Sequence, residues 1–244
     1  TVDGAAESYP AGSVRASVPA RAADALTAWS LAEDGAISAV GGAWDAQQQT
    51  YTFDVVSGVT AIARFPFTDV PAGSWYYGAA AYAYNNGLFD GTSPTTFAPN
   101  AVMSRAMLVT VLYRLADEPD VTADNPFTDV PAGQWYTNAV IWAAANGIVS
   151  GFGDGTFRPN ALATRAQAAV MLCGYAKLAG RDTTQRADLS AYADAAEIPS
   201  WALAEMQWAN AAQLIRGRSD TILAPNAGTT RAEMAKILST FIGK

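Results

Sequence analysis

The chain has 244 residues, half of them apolar and only 15% charged, the composition of a folded protein with one or two cores rather than a disordered or fibrous one. Its net charge of −7 argues against nucleic acid or an anionic membrane surface as partner, and no apolar run is long enough for a membrane span. Histidine is absent, which removes Ser-His and Cys-His triads, histidine-held zinc and the commonest base near neutral pH.

The start, Thr1-Val-Asp-Gly4, has neither the basic nor the apolar stretch of a signal peptide. A leader is therefore expected to have been removed, or the chain to be the trailing piece of a longer one. Residues 1–64 are rich in Ala, Ser and Gly, and from Trp29 to Ala63 they alternate like paired strands. The alternation predicts strands at Ala36–Val40 and, past a turn, at Thr50–Val56. We read this part as a small β-rich segment, the end of an upstream module.

Beyond it the sequence repeats. Phe67-Thr-Asp-Val-Pro-Ala-Gly-Ser-Trp75-Tyr returns as Phe127-Thr-Asp-Val-Pro-Ala-Gly-Gln-Trp135-Tyr, a shift of 60 residues from Phe67 to Phe127. The same shift carries Ser104-Arg105 onto Thr164-Arg165. A third, more diverged copy follows at a shift of 66, taking Trp135 to Trp201 and Thr164-Arg165 to Thr230-Arg231. Tyr192-Ala-Asp194 stands where Phe127-Thr-Asp129 stood. The organisation expected is 1–64 β-rich segment, then repeats at 65–122, 123–186 and 187–244.

Each repeat predicts the same elements. A turn leads into a short helix beginning near Trp75, Trp135 or Trp201, and Gly87 and Gly147 follow the first two as left-handed caps. A Gly-rich turn comes next, clearest in Gly151-Phe-Gly-Asp-Gly-Thr-Phe157; it lacks the acidic alternation of a calcium loop and reads as a plain turn. A longer helix then opens at Ser104, Thr164 or Thr230, with a stripe at Leu108, Val111, Leu112 and Leu115 in the first and Met234, Ile237, Leu238 and Phe241 in the third. One repeat cannot bury such a stripe alone. The fold expected is therefore mainly α, a pseudo-threefold bundle of the long helices with short helices and loops outside. Cys173 sits in an apolar helical run and reads as a small core residue.

Ser104-Arg-Ala-Met107, Thr164-Arg-Ala-Gln167 and Thr230-Arg-Ala-Glu233 open the long helices. A capping box explains the Ser/Thr and the Gln and Glu three residues on. It does not explain arginine, whose charge faces the positive end of the helix dipole. Each of Arg105, Arg165 and Arg231 needs a compensating partner. That partner is either an internal aspartate, such as Asp69, Asp129 or Asp194, or an external anion docked at free helix N–H groups. Trp75, Trp135 and Trp201 suit stacking on a sugar ring, although a tryptophan at a helix start is more often core or lid packing.

The pattern Phe-x-Asp-Val…Trp-Tyr…Gly-Thr-Phe-x-Pro-Asn…Thr-Arg-Ala-Glu resembles the S-layer homology (SLH) domain over about Phe65 to Lys244, with the signature complete only at Thr230–Glu233. Glu33-Asp-Gly35 and Trp44-Asp45…Tyr51-Thr-Phe53 resemble the β-module that precedes SLH repeats in Firmicute surface proteins. The resemblance implies a secreted, monomeric, Gram-positive cell-wall or S-layer protein. It would bind secondary cell-wall polysaccharide non-covalently in grooves between repeats, without catalysis, cofactor or metal. The ligand it implies is an acidic terminal sugar carrying a pyruvate ketal, gripped by Arg105, Arg165 and Arg231. Asp69, Asp129 and Asp194 would hold groove structure or sugar hydroxyls, Gly87 and Gly147 would allow close approach, and Trp75, Trp135 and Trp201 would form walls. Gln213 replaces the glycine in the third repeat, which predicts a filled and weaker groove there, and Arg216 and Arg218 make that repeat basic. A self-associating lattice element, or the anchor of a wall-glycan-processing enzyme, stay as alternatives.

Overall fold

The structure, a computed structural model, describes residues 14–19, 26–31, 37–41, 43–45, 47, 50–55, 59–71 and 73–243. Thr1–Gly4, Glu33–Gly35, Ala36 and Val56 lie outside the described residues. The chain forms two units, one of Thr1–Pro99 with Phe241–Lys244 and one of Asn100–Thr240. The architecture is mainly helical, with strands confined to the N-terminal segment.

In the first unit, β1 (Val14–Pro19), β5 (Thr50–Val55) and β4 (Ala43–Asp45) form one antiparallel sheet in the order β1-β5-β4. A second sheet has the order β3-β2-β6, from β2 (Leu26–Leu31), β3 (Ile37–Gly41) and β6 (Val59–Arg64). The two strands expected from alternation are both present, yet they do not pair with each other. The short β4 intervenes and takes the hairpin position, with Trp44 opposite Tyr51, while β3 turns back onto β2, with Ile37 opposite Leu31. Strands adjacent in sequence pair first, and β4 is too short to announce itself in the pattern. After the sheets, α1 (Tyr77–Asn85) buries Ala79, Ala80, Ala81 and Ala83. Phe67 lies edge-on to Tyr84 at 4.8 Å and tilted against Phe97 at 5.5 Å.

The second unit holds α2 (Arg105–Leu115), α3 (Thr137–Ala145), α4 (Arg165–Leu178), α5 (Leu203–Ala211) and the start of α6 (Arg231–Ile242). The short helices begin two residues after Trp75 and Trp135, and the third is preceded by a 3-10 turn, Ser200–Ala202. All three end alike: the Gly147 N–H donates to Ala144 O and the Ile148 N–H to Ala143 O, at 3.1 and 2.8 Å, closing a Schellman cap. Gly147 takes φ +68° there, as does Gly87, and Gln213 takes φ +58° in the third repeat. In the stripe of α2, Leu108, Val111 and Leu112 are buried and Leu115 is half-buried. Met234, Ile237, Leu238 and Phe241 of α6 are all buried, as is Cys173.

The segments that precede the long helices meet in a closed ring. The Met103 N–H donates to Thr229 O, the Thr229 N–H to Ala163 O, and the Ala163 N–H to Met103 O, each at 2.9 Å. A second ring runs beside it: Arg105 N–H to Ala161 O, Arg165 N–H to Ala227 O and Arg231 N–H to Ala101 O, at 2.9 to 3.0 Å. One residue from each repeat thus supplies what the next requires, and the mouths of the long helices gather at these rings.

Candidate functional site

These rings change what the helix mouths can do. In α2 the first N–H is taken by Ala161 O and the second by Pro159 O, and the third, from Met107, donates to the Ser104 hydroxyl at 3.2 Å. In α4 the partners are Ala227 O, Pro225 O and the Thr164 hydroxyl. The free N–H groups expected to hold an anion are therefore already engaged, because carbonyls of the next repeat reach them before solvent does. What each mouth presents is the guanidinium.

All three arginines are buried, Arg105 at 5%, Arg165 at 4% and Arg231 at 7% exposure. Arg105 Nε donates to Phe157 O at 2.8 Å, and Arg165 Nε donates to Leu223 O at 3.0 Å, the same bond one repeat on. Beyond Nε the two differ. The Arg105 guanidinium lies 4.6 Å from the Phe157 ring and 4.9 Å from the Phe152 ring. Its terminal nitrogens have no hydrogen-bond or ion-pair partner among the described residues. Arg105 lines a groove of about 460 Å³ built by the turn Gly147–Gly153, by Gln167, Val170 and Met171 of α4, and by Trp201. Burial, with the neighbouring Arg158 charge, pushes the Arg105 pKa down to about 10 against the pull of Asp129. It stays protonated at neutral pH, poorly hydrated and without a counter-charge at contact distance, a state that an incoming anion relieves.

Arg165 is spoken for. Its Nη1 lies 3.3 Å from Glu233 Oε1, and its Nη2 donates to Arg216 O. Glu233 also accepts from Arg218 Nε at 2.9 Å and from the Thr230 N–H at 2.8 Å. Gln213, expected to fill this groove, instead folds its exposed amide back onto Asn210 O at 3.0 Å. The crowding comes from Glu233 and the Arg216 carbonyl.

Among the described residues, Asp69, Asp129 and Asp194 form no ion pair with Arg105 or Arg165 and accept from backbone N–H groups instead. Asp129 accepts from the Phe157 and Arg158 N–H groups, both at 2.7 Å, and Asp69 does the same for Phe97 and Ala98, at 2.8 and 2.7 Å. Asp194 takes Leu223 and Ala224 at 2.8 and 2.7 Å. The second residue of each pair held in this way sits in the left-handed region, Ala98 at φ +56°, Arg158 at +58° and Ala224 at +55°. Each carboxylate fixes the turn whose carbonyl, at Phe157 or Leu223, receives the arginine Nε in the second and third repeats. The Leu223 N–H, set against burial, leaves the Asp194 pKa below the ordinary carboxylate value. These residues hold the turn.

Trp75, Trp135 and Trp201 are exposed at 62%, 60% and 57%, so the core-packing expectation does not hold for them. They lie just ahead of the short helices, on turns that leave the indoles outside. Trp201 lines the Arg105 groove, and so does Gly147, where an added Cβ would meet no atom within 4 Å. Gly87 has the same φ and the same open space, within the first unit. Phe152 was not singled out by sequence. Its only signal was an aromatic residue set among the glycines of a turn. It lies beside Arg105 on one side, while the Arg158 guanidinium sits 3.9 Å over its ring.

Residues 66–106, 126–169 and 191–235 match the S-layer homology domain. An endoglucanase of Bacillus sp. (strain KSM-635) is 31% identical over 180 residues, covering 74% of this chain and 19% of the relative. The surface-layer 125 kDa protein of Lysinibacillus sphaericus is 34% identical over 159 residues, 64% of this chain and 13% of the relative. An amylopullulanase of Thermoanaerobacterium thermosulfurigenes is 28% identical over 211 residues, 84% of this chain and 11% of the relative. The chain spans about a fifth or less of the length of these relatives. SLH domains anchor surface proteins to the cell wall by binding its polymers, and proteins that carry them are found at the cell surface. With three matches that together cover more than half of its residues, the chain belongs to the S-layer homology domain family.

Proposed function

We propose that the chain anchors a surface protein non-covalently by binding an acidic sugar of the secondary cell-wall polysaccharide in the groove of Arg105, Phe152 and Trp201. One observation carries this reading: Arg105, which lines an open groove, is buried and its terminal nitrogens are unpaired among the described residues. A sugar carboxylate, such as that of a pyruvate ketal, matches the guanidinium fork, and the exposed indole of Trp201 supplies a face for the pyranose ring. The chain acts as a monomer and without catalysis, and further SLH grooves add residence time by multivalency. Where the parent protein resembles the endoglucanase or the amylopullulanase, this part is the anchor and the chemistry belongs to other segments.

The test is co-sedimentation with purified wall sacculi, before and after the polysaccharide is stripped. The chain should sediment with intact sacculi only. A charge-assisted hydrogen bond contributes about 1.5–3 kcal/mol, so Arg105→Met should weaken binding on the order of 10- to 100-fold, with the fold checked by circular dichroism. Equal sedimentation on stripped sacculi, or unchanged binding by both Arg105→Met and Trp201→Ala, ends this reading.

A further inference from the structure

We infer that two positions act as a gate on the arginine of the preceding repeat: Phe152 and Gln167 hold Arg105 open, and Arg218 and Glu233 hold Arg165 shut. The inference deepens the reading of the Arg105 groove, and its binding arm rests on that reading.

The repeats themselves supply the comparison. At a shift of 66 residues, Gln167 corresponds to Glu233, Phe152 to Arg218 and Ser150 to Arg216. Both Gln167 and Glu233 are the third residue of a long helix, and each accepts from the N-cap N–H, of Thr164 at 3.3 Å and of Thr230 at 2.8 Å. The helix geometry therefore delivers both side chains to the same place. Glu233 there meets Arg165, and Arg218 supports it through Nε and Nη2, at 2.9 and 3.1 Å to the two carboxylate oxygens. Gln167 lines the groove with Arg105 and brings no charge, and the Phe152 ring offers the guanidinium a face but no hydrogen-bond acceptor. Ser150 lines the groove too, with no bond to Arg105, whereas the Arg216 carbonyl is bound by Arg165. The exchange is concerted: where the acid appears, a second cation appears beside it, and the arginine is neutralised from within. Among the described residues, a carboxylate ligand meets no competing acceptor at the terminal nitrogens of Arg105, and it competes with Glu233 at Arg165.

Gln167→Glu and the double variant Phe152→Arg/Gln167→Glu transplant the closed arrangement onto the open groove. Two measurements follow. In calorimetry with a methyl glycoside carrying a pyruvate ketal, Gln167→Glu should weaken the Arg105 site at least 10-fold, and the double variant should abolish it. In thermal melts without ligand, Gln167→Glu should raise the melting temperature by about 3 °C at pH 7 and by clearly less at pH 3.5, since the pair's contribution declines as the carboxylate protonates. Most of that rise should vanish when Arg105→Met is combined with it. Wild-type glycoside affinity in both variants overturns the gate, as does a melting temperature that does not move or moves equally with and without Arg105. If the unmodified chain binds neither the glycoside nor sacculi while the melting shift is present and depends on Arg105, the anchoring reading falls and the gate stands as an ion-pair device. If binding is present and both variants leave it unchanged, anchoring stands and the gate falls.

Discussion

Arg165 and Glu233 form an ion pair between two repeats, Nη1 to Oε1 3.3 Å, with both side chains largely withdrawn from water. Burial works to raise the Glu233 pKa. The Arg218 hydrogen bond, the Thr230 N–H and the Arg165 charge outweigh it and hold the group below its ordinary value of 4.5. A depressed folded-state pKa means that the pair stabilises the protein fully above the unfolded carboxyl value and loses that contribution as pH falls through the folded one. Stability should therefore be flat near neutrality and decline below about pH 4.5. In Glu233→Gln that acid-side decline should shrink, and stability at pH 7 should drop by about 2 kcal/mol, because Arg165 and Arg218 lose their shared acceptor. Urea melts across pH measure both. An acid limb as steep in the variant as in the parent would assign it to other carboxylates.

Asp129 carries two short bonds from consecutive N–H groups, one of them on the left-handed Arg158. Truncating it in Asp129→Ala strands the buried Phe157 N–H and releases the turn, at a cost of about 2–3 kcal/mol. Phe157 O is the acceptor for Arg105 Nε, so the same change should also weaken glycan binding more than a mere loss of stability accounts for. Calorimetry at a temperature where the variant is fully folded separates the two effects.

Gln213 occupies the C-cap position that glycine takes in the other two repeats, at φ +58°. Relief of left-handed strain favours Gln213→Gly by about 1 kcal/mol, and the added freedom of the unfolded chain takes back about half. A net gain of about 0.5 kcal/mol in a denaturant midpoint is the expected outcome, with no change in glycan binding, since this side chain faces solvent.

Trp201 is more than half exposed, so Trp201→Ala should leave stability within about 0.5 kcal/mol of the parent. Sedimentation with sacculi should nevertheless fall on the order of 10-fold, the scale of a lost ring face. A large drop in melting temperature would instead make the indole a structural element.

Much of this was legible in the sequence, for physical reasons that also set the limit. The capping residues Ser104, Thr164 and Thr230 and the glycines after the short helices act within a few residues, so local pattern locates the helix ends. Register across the repeats identified Arg105, Arg165 and Arg231 as equivalent. What sequence could not show were bonds that leave the repeat. The Ala161 and Pro159 carbonyls that satisfy the mouth of α2 come from the next copy, and so the helix N–H groups read as free when they are not. The aspartates stay within their own repeat but reach across some thirty residues to a turn, and no local rule distinguishes that use from an ion pair with arginine. The tryptophans misled in the opposite direction, because general burial statistics put such rings inside, while here the preceding turn points them out.

The ring through Met103, Ala163 and Thr229 has no first or last member. Removing one repeat leaves an unmated N–H at one neighbour and an unmated carbonyl at the other, at positions sealed from water. The triplet, rather than the single repeat, is therefore the piece that can be duplicated, lost or transplanted between genes as a working part. Cutting the chain in the linker between two repeats and rejoining it elsewhere should disturb the ring less than deleting any one of its members.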